Sequence, residues 1–117
     1  MGRIMAFAER RSSVSVPPSQ VNWRGRSGRF YALTPERLDT FDLFISGLHL
    51  LARGGVPMWV GSAHDVIHDA DSRSRFRLAL EAADRAFIVD ADEDELSRMT
   101  VVWDLEGAEP VTGLSAA

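Results

Sequence analysis

Two adjacent glycines, Gly54-Gly55, stand between the apolar runs Leu48-His49-Leu50-Leu51-Ala52 and Val56-Pro57-Met58-Trp59-Val60. Glycine adopts the positive φ that a tight two-residue turn demands, so this pattern reads as a β-hairpin. The residues ahead of it admit two readings. Leu38, Phe41, Ile45, Leu48 and Ala52 recur at spacings of 3, 4, 3 and 4, which fits one helix ended by the glycines. Ser46-Gly47 interrupts that pattern, and glycine inside a helix costs about 1 kcal/mol relative to alanine. Over residues 35–53 the favoured reading is therefore a short helix to about Thr40, followed by a strand that enters the turn.

Further elements follow on either side. Phe30-Tyr31-Ala32-Leu33 is a short strand, and Thr34-Pro35-Glu36 has the hydroxyl, proline and acid of a helix start. Val56 to Gly61 is the second hairpin strand. Asp71 or Ser72 opens a helix with Phe76, Leu80, Ala83 and Phe87 on one face and Arg77, Glu81 and Arg85 on another. Phe87-Ile88-Val89 and the run Met99 to Leu105 read as strands. The expectation is one α+β domain over residues 29–106, with a small mixed or antiparallel sheet and two to three helices packed on one face. Residues 1–28, rich in Ser, Pro, Gly and Arg, read as a disordered basic arm, and residues 107–117 as a flexible tail.

Composition narrows the function classes. With no cysteine, disulfides, iron–sulfur clusters and thiolate zinc sites are excluded. No run approaches the roughly 18 apolar residues of a membrane helix. The apolar stretch Ile4-Met5-Ala6-Phe7-Ala8 is too short for a secretory signal, so the expected location is cytoplasmic with no membrane contact. A 117-residue chain has a thin stability margin, which favours self-association. All 13 basic residues are arginine, pointing to a GC-rich bacterial or phage genome. Residues 1–30 hold six arginines against Glu9, a balance of +5; the whole chain carries −4, so the remainder carries −9.

Four groups of residues are candidates for function. Arg10, Arg11, Arg24 and Arg26 of the arm, with Arg73 and Arg77 flanking Phe76, are the side chains that would meet nucleic acid phosphates. Trp23 is an aromatic anchor for docking, on its own domain or on a protein partner. His64 and His68 fall at i, i+4, the spacing with which two imidazoles on a helix hold one metal ion. A third ligand would be His49 or an acid. The run Asp90 to Glu95 lacks the glycine and distal glutamate of a calcium loop and reads as a solvated acidic loop.

Gly47-Leu48-His49 followed by Trp59-Val60-Gly61 resembles the opening of the GIY-YIG endonuclease family. In that family two such strands bring two tyrosines together, and a following helix supplies an arginine. His49 and Trp59 stand where the tyrosines would be, and the arginine position falls near Asp69. The resemblance therefore implies a nuclease-like shell without its chemistry. No cofactor is expected. The leading expectation is a small non-catalytic interaction or accessory protein that binds an unidentified protein or itself. The alternatives are a nucleic-acid-associated protein on that degenerate shell, and a metal-dependent hydrolase using His64 and His68.

Overall fold

The computed structural model describes residues 19–43, 47–91 and 94–111. In chain order they form β1 (Val21–Arg24), β2 (Phe30–Glu36), a 3-10 turn (Leu38–Thr40), β3 (Leu48–Arg53), β4 (Val56–Gly61), α1 (Ala63–His68), α2 (Ala70–Ala82), β5 (Arg85–Val89), α3 (Glu95–Glu106) and β6 (Glu109–Pro110). The strands make one antiparallel sheet in the order β4-β3-β5-β2-β1-β6. The sheet is curled: a Cβ on Gly55, at the β3–β4 turn, would lie 3.3 Å from Pro110 in β6. This is the α+β class with an antiparallel sheet.

Alternation along β3 shows how both faces are filled. Leu48, Leu50 and Ala52 join Trp23, Leu33, Phe87, Val101 and Leu105 in one core cluster, under α3. Leu51 joins Trp59, Ala79, Ala86 and Phe76 in a second cluster, under α1 and α2. Two helices thus share one face as expected, and the third covers the other. A strand buried on both faces reads as a near-continuous apolar run, which is how Leu48 to Ala52 reads apart from His49. The hairpin forms at the glycines, with Gly54 at φ +58°. Asp84 accepts from the Gly54 N–H at 2.9 Å and Arg53 donates to the Ala82 carbonyl at 3.0 Å, fastening the turn to the end of α2.

Several expectations are corrected. The first strand begins at Val21, inside the stretch expected to be a disordered arm, and Trp23 is wholly buried against Phe87. Trp23 is core and is not available to a partner; residues 1–18 of the expected arm, with Arg10 and Arg11, lie outside the described residues. Thr34-Pro35-Glu36 continues β2 and starts no helix. β1 ends opposite Leu33, so beyond it β2 has a strand on one side only, where a residue without an N–H is tolerated. Of the short helix to Thr40 only the 3-10 turn forms. Met99 to Leu105 lies in α3 and is no strand. α2 begins after Asp69, two residues before the expected cap, and Ala79 takes the inward position beside Phe76 and Ala83 while Leu80 is exposed. Arg85 lies in β5, away from Glu81's helix. At the far end, residues expected to belong to the tail form β6 against β1.

Candidate functional site

α3 is positioned by its own termini. Asp94 accepts from the Ser97 N–H at 2.9 Å and caps the first turn. Val101 and Leu105 enter the core from its inner side. Leu96, Met99 and Trp103, at spacings of 3 and 4, lie on the outer side and are 72, 60 and 51% exposed. Among the described residues nothing covers this stripe except at one end. There the Arg26 guanidinium sits 4.7 Å from the Trp103 ring, and Arg26 Nε donates to the Trp103 carbonyl at 3.2 Å.

Beside the stripe a groove of about 390 Å³ runs between α3 and the helices α1 and α2. Leu48 and Val60 floor it. Asp65, Asp69, Glu95 and Glu106 line its walls together with His64, Arg75 and Arg98. Arg75 Nε lies 3.3 Å from Asp71. Four carboxylates thus share the groove with two arginines; Asp65 and Asp69 also cap α1 and α2, and Arg75 is paired with Asp71.

The end of α3 is pinned by a buried carboxylate. Asp104, 3% exposed, accepts from the Ser27 N–H at 2.6 Å, the Ser27 hydroxyl at 2.7 Å and the Tyr31 hydroxyl at 2.7 Å. Burial raises the Asp104 carboxyl, but the Ser27 and Tyr31 hydrogen bonds and the nearby Arg29 outweigh it and hold it below the usual carboxylate range. Tyr31 is pushed up to about 12, first by burial and then by its bond to Asp104 and that carboxylate's charge. Gly25 makes room for this: a Cβ there would fall 2.4 Å from Asp104 Oδ1. This group is structural, tying the β1–β2 turn to α3.

The residues expected to bind metal do stack. His64 and His68 lie one turn apart on α1, with ring centroids 4.3 Å apart. No third ligand joins them: among the described residues no cluster of three or more His, Cys, Asp or Glu side chains could hold an ion. Asp65 instead accepts from the Ser62 N–H at 2.9 Å as part of the α1 cap. His49 is wholly buried, 2.7 Å from Glu36 through Nδ1 and edge-on to Phe41.

The described arginines of the nucleic acid set do not converge. Arg24 pairs with Glu109, and Arg26 lies on Trp103, on the α3 side of the sheet. Arg73 and Arg77 are on α2, across the sheet. Arg73 donates to the carbonyls of Val66 and Ile67 at 3.2 and 3.3 Å, closing the end of α1. Of the acidic run, Asp92 and Glu93 lie outside the described residues, and Asp94 is the α3 cap.

In the hairpin, Trp59 is buried and its Nε1 donates to Ser72 Oγ at 3.3 Å. A Cβ on Gly61 would meet the Trp59 ring at 2.6 Å. The Trp-Val-Gly sequence is thus a packing device: the glycine two residues on leaves room for the indole. Comparison with protein families, curated proteins and solved structures finds no match, to the GIY-YIG family or to any other. No helix among the described residues is long and apolar enough to cross a membrane.

The run Val101-Val102-Trp103 gives Met99 to Leu105 the look of a strand and conceals the candidate site. A helix capped by Asp94 sets Leu96, Met99 and Trp103 opposite Val101 and Leu105.

Proposed function

We propose that this protein is an interaction module that takes a basic amphipathic segment of a partner protein across the outer face of α3 and the adjoining groove. The observation that carries this reading is the exposed stripe Leu96–Met99–Trp103. A surface helix ordinarily turns polar residues outward, and a contiguous apolar face left in water marks a surface that another element covers. Spacings of 3 and 4 suit a helix or an extended segment laid along the groove with apolar anchors. The carboxylates Asp65, Asp69, Glu95 and Glu106 on its walls favour arginine or lysine on the partner, as does the −9 balance of the chain from residue 31 onward.

Selection from a displayed library of random twelve-residue segments tests this. The expected winners carry two or three apolar residues flanked by Arg or Lys, and lose at least about tenfold in affinity towards Trp103→Ser, the loss of one aromatic anchor. Glu106→Lys weakens them less and reduces the salt dependence of binding. Recovery only of sequences indifferent to Trp103 overturns the reading.

A further inference from the structure

We infer that the chain carries an occupant for this surface in its own residues Arg3–Arg11, so that the site is self-masked. The inference rests on the docking reading of α3 and adds the identity of a ligand. Two independent observations carry it.

The first is chemical fit. Arg3-Ile4-Met5-Ala6-Phe7-Ala8-Glu9-Arg10-Arg11 is an apolar pentad with arginine on both sides, a balance of +2. Ile4, Phe7 and Ala8 follow the i, i+3, i+4 spacing with which a segment presents one apolar edge to a groove. Opposite it stand three exposed apolar side chains on α3, beside a groove where carboxylates outnumber arginines.

The second is reach. Val21 and Arg24 bound β1, so the start of that strand is roughly 10 Å from its end at about 3.3 Å per residue. The turn that follows places Arg26 directly on Trp103. Ser19 and Gln20 lead directly into β1, with Gln20 Nε2 donating to Thr34 Oγ1 at 3.3 Å, so the tether is residues 12–18, which span at most about 25 Å when extended. The tether is therefore long enough for the segment to reach the α3 face of its own molecule. A short tether holds it at an effective concentration on the order of millimolar, which fills even a weak site. A partner then has to displace Ile4 and Phe7 before it meets Met99 and Trp103, making its apparent affinity weaker than its intrinsic one.

The test uses the full chain and its double variant Ile4→Asp/Phe7→Asp, with a synthetic peptide of residues 1–18 as the probe. Trp23 and Trp59 are buried, so acrylamide quenching of tryptophan fluorescence reports chiefly on Trp103. Quenching is expected to increase in the double variant, and its unfolding equilibrium in urea to shift by about the same tenfold that docking contributes to the parent chain. The added peptide is expected to bind the double variant about tenfold more tightly than the parent chain, and to lose binding when Trp103→Ser is added. Equal peptide binding to parent and variant overturns self-masking while leaving the docking surface in place. No binding to either chain also overturns it, and the library selection then decides separately whether the surface binds anything. A masking effect that grows with protein concentration, with a dimer in sedimentation, overturns it in favour of a second copy as the occupant.

Discussion

The two helical coverings of the sheet do different work. On one side α2 and its C-cap pack Phe76, Ala79 and Ala83 against Trp59, Leu51 and Ala86, and its outer surface mixes Leu78 and Leu80 with Asp71, Arg75, Arg77 and Glu81. α1 is fastened beside it by the Arg73 contacts to Val66 and Ile67. On the other side α3 commits Val101 and Leu105 to the larger cluster, anchors itself through Asp104, and leaves Leu96, Met99 and Trp103 in water. The α1–α2 layer exposes Ile67, Leu78 and Leu80 with no helical spacing of 3 or 4 among them, whereas Leu96, Met99 and Trp103 on α3 follow one another at spacings of 3 and 4 as one stripe. Three tryptophans divide in the same way: Trp23 and Trp59 build the two cores, and Trp103 builds neither.

This contrast can be broken by measurement. The widest gap is expected between two tryptophans. Trp59→Ala should destabilise by about 3–5 kcal/mol in urea unfolding, the cost of a cavity at a buried aromatic. Trp103→Ala should cost no more than about 1 kcal/mol, chiefly its stacking with Arg26. Comparable losses would mean that α3's outer face belongs to the folded core. Next comes Asp104→Ala, which leaves the buried Tyr31 hydroxyl and the Ser27 donors without their acceptor. A loss of about 3 kcal/mol is expected, and a much smaller one would show that the β1–β2 turn holds without α3.

A pH series gives a third effect. Folding raises the Tyr31 pKa from 10.0 to about 12, so its stabilisation is complete below pH 10 and disappears as pH rises through 12. The loss amounts to roughly 2–3 kcal/mol, read as a falling urea midpoint that Tyr31→Phe flattens. Asp104 acts at the other limb. Its folded pKa is depressed, so its contribution is present above the ordinary carboxylate range and is lost as pH falls through the folded value. The smallest change is expected for Leu96→Gln and Met99→Gln, within about 0.5 kcal/mol in stability, while segments selected on α3 lose affinity.

The sequence made the centre of the sheet readable and obscured its ends. Gly54-Gly55 between apolar runs specifies its hairpin because few residues other than glycine turn the chain there, and Phe87-Ile88-Val89 is a buried strand by composition. Trp23 was hidden in a Ser-, Pro- and Arg-rich stretch whose partners, Phe87 and β6, lie far along the chain. Thr34-Pro35-Glu36 has the local chemistry of a helix start, but pairing with Ala86, Phe87 and Ile88 prevails over it. Val101-Val102-Trp103 has strand propensity, overridden by the Asp94 cap and by the fit of Val101 and Leu105 to the sheet. The candidate surface shared that fate, since its three residues align only once α3 is a helix. The stacked histidines were correctly spaced; the absence of a third ligand beside them among the described residues depends on tertiary placement.

The Ser27–Asp104 bonds join residues 77 positions apart, and β2 lies between β1 and β5. A chain emerging from the ribosome cannot close this arrangement until α3 is out. Until β5 is out, β1 and β2 pair only with each other and Trp23 lacks Phe87; until α3 follows, it lacks its second cover. Such distant closure makes for slow folding and a nascent hairpin prone to association. Synthesis paused before residue 85 should leave that tryptophan exposed to chaperones that bind apolar surface.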